Sequence, residues 1–164
     1  MTIRSVHSLC LLPLLGVLAA CGGGAPAAES ASSPPAEAEA AAAPAPQTFA
    51  EQVELGAKLY GAKCAGCHGT SGQGTSDAPR VVGLADGALP LDPPASAKHR
   101  TVQFKTVADV AGFVVKTMPP KAPGSLSEEA YFSILAFDLK ANGIDLGEKK
   151  LDGALAQTLE IPRQ

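Results

Sequence analysis

The chain has 164 residues, with no Trp, five Phe, two Tyr and a formal charge of −3 at pH 7. That length fits one domain with appendages, and a core built from protein alone is short of large aromatic side chains. The weak net charge excludes nucleic acid or an anionic lipid surface as the main partner.

The first apolar run extends from Leu9 to Ala20, follows Arg4 and His7, and is interrupted by Pro13 and Gly16. It has the layout of a signal peptide and is too short for a comfortable membrane span. The run ends in Leu18-Ala19-Ala20-Cys21, which resembles the bacterial lipoprotein box. The alternative is an ordinary cleavable signal with a chance cysteine. The lipoprotein reading makes residues 1–20 the signal, discards Cys10 and puts lipid on Cys21. It places the protein on the periplasmic side of a membrane, and Gly22 in place of Asp favours the outer membrane.

After Cys21 the composition shifts to Ala, Pro, Ser and Glu, with no apolar residue larger than Ala as far as Gln47. Such a stretch cannot bury enough surface to offset its conformational entropy, so residues 21–47 read as a disordered tether. Its mean reach is about 25–30 Å. The domain follows over residues 48–164, with a C-terminal extension from about residue 144.

Thr48-Phe49-Ala50-Glu51 reads as a capping box, and Phe49, Val53, Gly56 and Tyr60 recur at helical spacing. This predicts a first helix to about Lys63. A second helix is predicted from the cap Thr106, with Asp109 in its first turn and Val107, Val110, Ala111 and Val114 on one face. It must stop near Met118, because Pro119 and Pro120 follow. A third starts at Ser127 before Glu128 and Glu129, presents Phe132, Leu135, Ala136 and Leu139, and ends at Asn142-Gly143. The Gly/Pro/Ser-rich passage from Gly69 to Lys105 shows no strand alternation and is long for a structureless loop unless something other than protein organises it. Beyond Ile144 the pattern is weak, with a short helix around Leu151 to Leu159.

Cys64-Ala65-Gly66-Cys67-His68 matches the c-type haem attachment motif. Two thiols on one turn can reach the two vinyl groups of a haem, and the adjacent imidazole then lies beneath the iron. A redox dithiol or half a zinc site are the competing readings of the two cysteines. The dithiol lacks a thioredoxin-like context, and zinc needs more ligands than the chain offers.

With these residues the chain resembles the class I c-type cytochromes over about Thr48 to Gly143. The likeness rests on the attachment motif after a helix carrying Gly56 and Tyr60, on Ala78-Pro79, on Met118-Pro119, and on a last helix with Ala136-Phe137-Asp138-Leu139. More particularly, Met118 to Ser127 and the tail beyond Asn142-Gly143 resemble small cytochrome domains associated with quinoprotein dehydrogenases. The resemblance implies an all-α cytochrome c-like fold, three main helices around one covalent haem c.

It also implies site roles. Met118 is the expected sixth ligand opposite His68, a His/Met pair that raises the potential relative to bis-His ligation. Met1, the other methionine, leaves with the signal. A core Met filling a gap is the bland reading, and His99 is the rival ligand, although Lys98 and Arg100 beside it suggest a solvated segment. The Pro79 carbonyl is the expected acceptor for the second ring nitrogen of His68; otherwise Pro79 is a turn residue. Arg80 suits either a haem propionate or a plain surface position. In the same family the first and last helices cross, bringing Gly56 and Tyr60 to Ile134 and Phe137.

The expected function is one-electron transfer between a protein donor and acceptor, such as a periplasmic dehydrogenase or a terminal oxidase, without catalysis by the chain itself. The alternatives are a fixed haem subunit of a larger oxidoreductase, a haem peroxidase or a haem sensor.

Overall fold

Helix α1, Phe49–Lys63, opens the folded part of the computed structural model, which describes residues 44–97 and 99–163. The capping box is complete: Thr48 Oγ1 accepts from the Glu51 N–H, and Glu51 accepts from the Thr48 N–H. Order reaches further back than the cap, since Pro46 is buried and the Gln47 N–H also donates to Glu51. The signal, Cys21 and the tether as far as residue 43 lie outside the described residues.

A one-turn helix α2, Ala65–His68, follows directly. Helix α3, Val107–Thr117, starts on a second capping box between Thr106 and Asp109. Helix α4, Glu128–Ala141, starts where Ser127 Oγ accepts from the Ala130 N–H. It ends at Asn142, and Gly143 takes a φ of 81° that an L side chain disfavours. Helix α5 is Gly153–Thr158, capped by Asp152, inside the span where the sequence places a short helix. Among the described residues there is no strand, and Thr106 forms an isolated antiparallel bridge with Glu160.

The crossing of α1 and α4 organises the domain, and Gly56 makes it possible. A Cβ at residue 56 would overlap the Ser133 carbonyl and stand 3.0 Å from the Phe137 Cβ. Beside it the Tyr60 and Phe137 rings pack at 5.1 Å between centroids, tilted by 43°. The crossing expected from the family is present, with the Ser133 backbone as the near neighbour of Gly56. One apolar cluster, with Leu59, Tyr60, Tyr131 and Ile134, lies along this contact; a second gathers Phe49, Val107, Val110, Leu135 and Leu151.

Gln52 locks the C-terminal extension onto α1. It is fully buried, donates to the Leu151 carbonyl at 2.8 Å and accepts from the Leu151 N–H at 2.7 Å. Arg100 corrects the sequence reading, which placed it in a solvated segment. It is only 8% exposed, lies 3.4 Å over the Phe104 ring and donates to the carbonyls of Pro90, Leu91 and Val102. These carbonyls belong to the long loop, so the guanidinium folds the loop around itself.

Candidate haem site

Cys64 ends α1, its N–H donating to the Tyr60 carbonyl at 2.8 Å, and the chain turns at once into α2. The Cys64 carbonyl accepts from Cys67 and His68 N–H groups at 3.1 and 2.9 Å. One turn therefore carries both thiols and the imidazole. Tyr60 Oη holds the next segment by donating to the Gly69 carbonyl at 2.9 Å.

The loop then folds back. Gly74 N–H donates to the His68 carbonyl at 2.8 Å, and the Val81 N–H reaches the Gly72 carbonyl at 2.8 Å. Gly74 sits at φ +81°, and a Cβ there would come within 2.7 Å of the Arg80 nitrogen, so the return path requires glycine. The result is that the Pro79 carbonyl oxygen stands 2.7 Å from His68 Nδ1. A carbonyl only accepts, so Nδ1 donates a ring proton to it, which leaves Nε2 as the ring nitrogen available to a metal.

Met118 closes α3, its N–H donating to the Val114 carbonyl at 2.8 Å. The Met118 carbonyl accepts from Tyr131 Oη at 2.8 Å, which ties this loop to α4. Asn142 fastens the other wall: its Nδ2 donates to the Val81 and Asp138 carbonyls, and its Oδ1 accepts from the Gly83 N–H at 2.8 Å.

A cavity of about 770 Å³ opens between these walls, and His68, Pro79, Arg80 and Met118 all line it. Val110, Phe113, Leu135 and Leu139 supply apolar lining. Arg80 Nη1 pairs with Asp86 Oδ2 at 2.9 Å, so any further anion it meets shares the guanidinium with Asp86. His99 lines the cavity as well but is exposed.

The other readings of the cysteines do not fit this geometry. Burial, with Asp138 and Cys67 adding to it, pushes the Cys64 thiol up to about 12, whereas a redox dithiol needs a lowered thiol. Among the described residues no three His, Cys, Asp or Glu side chains converge to hold a metal ion, as zinc requires. A haem c does fit. The cavity is mostly apolar, an imidazole and a thioether share its wall, and both thiols stand on the turn that carries the imidazole.

Tyr131, Asn142 and Asp138 were not singled out as site residues in the sequence. Asn142 reads there as a helix stop, Tyr131 has no signal apart from its place on α4, and Asp138 stands as one member of a family-like string.

Helices crossing at a glycine, a two-cysteine turn with its histidine, and a methionine lining the same apolar cavity define a single-haem c-type cytochrome domain. The family model described as cytochrome c oxidase, cbb3-type, subunit III matches residues 51–137, more than half of the chain, and the chain belongs to that family. A domain of this family binds haem c covalently and supports haem-based electron transfer. The chain is similar to a solved structure, the sulfane dehydrogenase SoxCD from Paracoccus pantotrophus, at a TM-score of 0.51 and 26% identity. That likeness covers 67% of this chain and 53% of the other, so this chain spans about half the length of the solved chain. No curated protein matches the sequence.

Proposed function

We propose that the protein is an exported one-electron carrier whose haem is bonded to Cys64 and Cys67 and ligated by His68 Nε2 and Met118 Sδ. The observation that carries this reading is the 2.7 Å contact of His68 Nδ1 with the Pro79 carbonyl, at a cavity that Met118 also lines. Bound haem c supplies a one-electron iron couple. The chain's own residues do the rest. Pro79 orients the imidazole and fixes its tautomer, Tyr131 restrains the Met118 loop, and the apolar walls keep water from the site. With His68 and Met118 both holding the iron, the bound group would offer no open site to oxygen or a substrate and would supply outer-sphere electron transfer instead of peroxidase chemistry.

The partner in this reading is a periplasmic oxidoreductase. Likeness to a sulfane dehydrogenase component supports a second form of the same role, a haem subunit held in a larger dehydrogenase. The Leu18-Ala19-Ala20-Cys21 string supports acylation of Cys21, with the segment after it as a tether to the outer membrane. The test of attachment is the mass of denatured protein. Wild type should carry one haem, and the double variant Cys64→Ala, Cys67→Ala none; haem still bonded to the double variant rejects the assignment. Co-purification with a dehydrogenase separates the subunit from the free carrier.

A further inference from the structure

Asp138 is a carboxylate in an apolar wall. It lies on α4 between Phe137 and the buried Leu139, it lines the haem cavity, and its Oδ1 is buried without a hydrogen-bond partner. Its neighbours on the same helix leave the carboxylate to itself: Asn142 donates to the Asp138 backbone carbonyl and spends its other bonds on Val81 and Gly83. The residue as a whole is half-buried, but an unpaired buried carboxyl oxygen is costly, and the structure offers no stabilising reason for it.

We infer that Asp138 is a proton site coupled to the haem, taking up a proton when the iron is reduced and releasing it on oxidation. The inference rests on the cavity being the haem pocket but not on Met118 being the ligand. The balance is simple. One electron arrives from a protein donor, and one proton passes from solvent to a carboxylate oxygen of Asp138; both leave on oxidation. Adding an electron inside a medium of low dielectric raises the affinity of a nearby carboxylate for a proton, and linkage makes the effect mutual.

The groups around Asp138 allow this. From α1 and its cap come Tyr60, whose hydroxyl is engaged with Gly69, and Cys64, which is consumed by thioether formation. From α2 comes His68, whose Nδ1 is engaged with Pro79. The long loop brings Asp77, His99 and two arginines to the cavity; Arg80 pairs with Asp86, and Arg100 is spent on backbone carbonyls. Helix α3 and the Met118 loop contribute no titratable side chain to the lining. Burial pushes the Asp138 carboxyl up to about 8, within reach of ordinary working pH.

The test is the midpoint potential of the haem-loaded protein against pH, with Asp138→Asn for comparison. In wild type the potential should fall as pH rises through the region around 8, by no more than tenfold in the electron-transfer equilibrium constant per pH unit, about 59 mV for one electron. In Asp138→Asn it should stay near the acid-limb value of wild type. A flat wild-type profile, or a slope that survives in the variant, overturns the inference. Should Asp138→Asn fail to take up haem, redox-difference infrared spectra of wild type made with isotope-labelled aspartate decide instead. A labelled carboxylic acid band that grows on reduction supports the site, and its absence rejects it. A normal His/Met spectrum with a flat profile removes the proton site and leaves the carrier standing, whereas an altered ligand spectrum in wild type removes the ligation without touching Asp138.

Discussion

The hydroxyl of Tyr131 donates to the carbonyl of Met118 at 2.8 Å, joining the proposed ligand loop to the helix that crosses α1. Tyr131 is 4% exposed, so the bond is shielded from competing water. Packing of α4 and the position of Met118 are thereby linked.

Tyr131→Phe removes this bond while keeping the ring. The expected cost is about 0.5–1.5 kcal/mol. The variant should keep its covalent haem and its native spectrum in buffer, and lose methionine ligation at a lower denaturant concentration than wild type. Denaturant titration followed in the absorbance of the ligated haem checks this. Equal midpoints for ligand loss would show that Tyr131 does not restrain Met118.

Gly56→Val should fail in a different way. Its Cβ would overlap the Ser133 carbonyl, and neither backbone can give way without parting α1 from α4. Overpacking of this kind costs about 1–3 kcal/mol. Thermal unfolding should therefore shift to lower temperature, with the haem spectrum of the folded fraction unchanged. A variant as stable as wild type would mean that the helices do not cross at residue 56.

Local signals were the legible ones. Thr48 with Glu51, Thr106 with Asp109 and Ser127 each announce a helix start, and each start lies where those residues put it, because a cap is settled within four residues of chain. The attachment motif is equally local, and the likeness to class I cytochromes supplied Pro79, which stands 2.7 Å from the His68 ring. Gln52, Asn142 and Tyr131 escaped because their partners are distant. Gln52 bonds across 99 positions to Leu151, and Asn142 across 61 to Val81. Neither pattern nor propensity registers a polar side chain whose partner arrives only through the tertiary fold. Arg100 read as solvent-facing for the same reason, since its carbonyl acceptors converge only once the loop has closed.

The second capping box makes a prediction about acid. Backbone N–H groups of Thr106 above all, with help from Lys105, hold the Asp109 carboxyl below its ordinary value of 3.8. A depressed folded value means that the ionised side chain stabilises α3 above the unfolded value, and that this stabilisation is lost as pH falls through the folded one. Glu51 is lowered in the same sense by the N–H groups of Gln47 and Thr48. The stability gap between wild type and Asp109→Ala should be full at neutral pH and narrow below pH 3.8. Denaturant unfolding of both proteins across acid pH measures it, and a gap independent of pH contradicts the electrostatic account of the cap.

The central claim is that Met118 completes the iron coordination opposite His68, and one comparison tests it most directly. Oxidised wild type and Met118→Ala are compared for the sulfur-to-iron charge-transfer band and for midpoint potential, after mass measurement has shown covalent haem in both. Wild type should show the band, and the variant should lose it and move to a lower potential, because thioether sulfur favours reduced iron. His99 lines the same cavity, so the ligand in the variant is identified by its spectrum before any gain of peroxidase activity is interpreted. The same band and the same potential in both proteins would contradict the account, and the iron would then be ligated by His99 or left open.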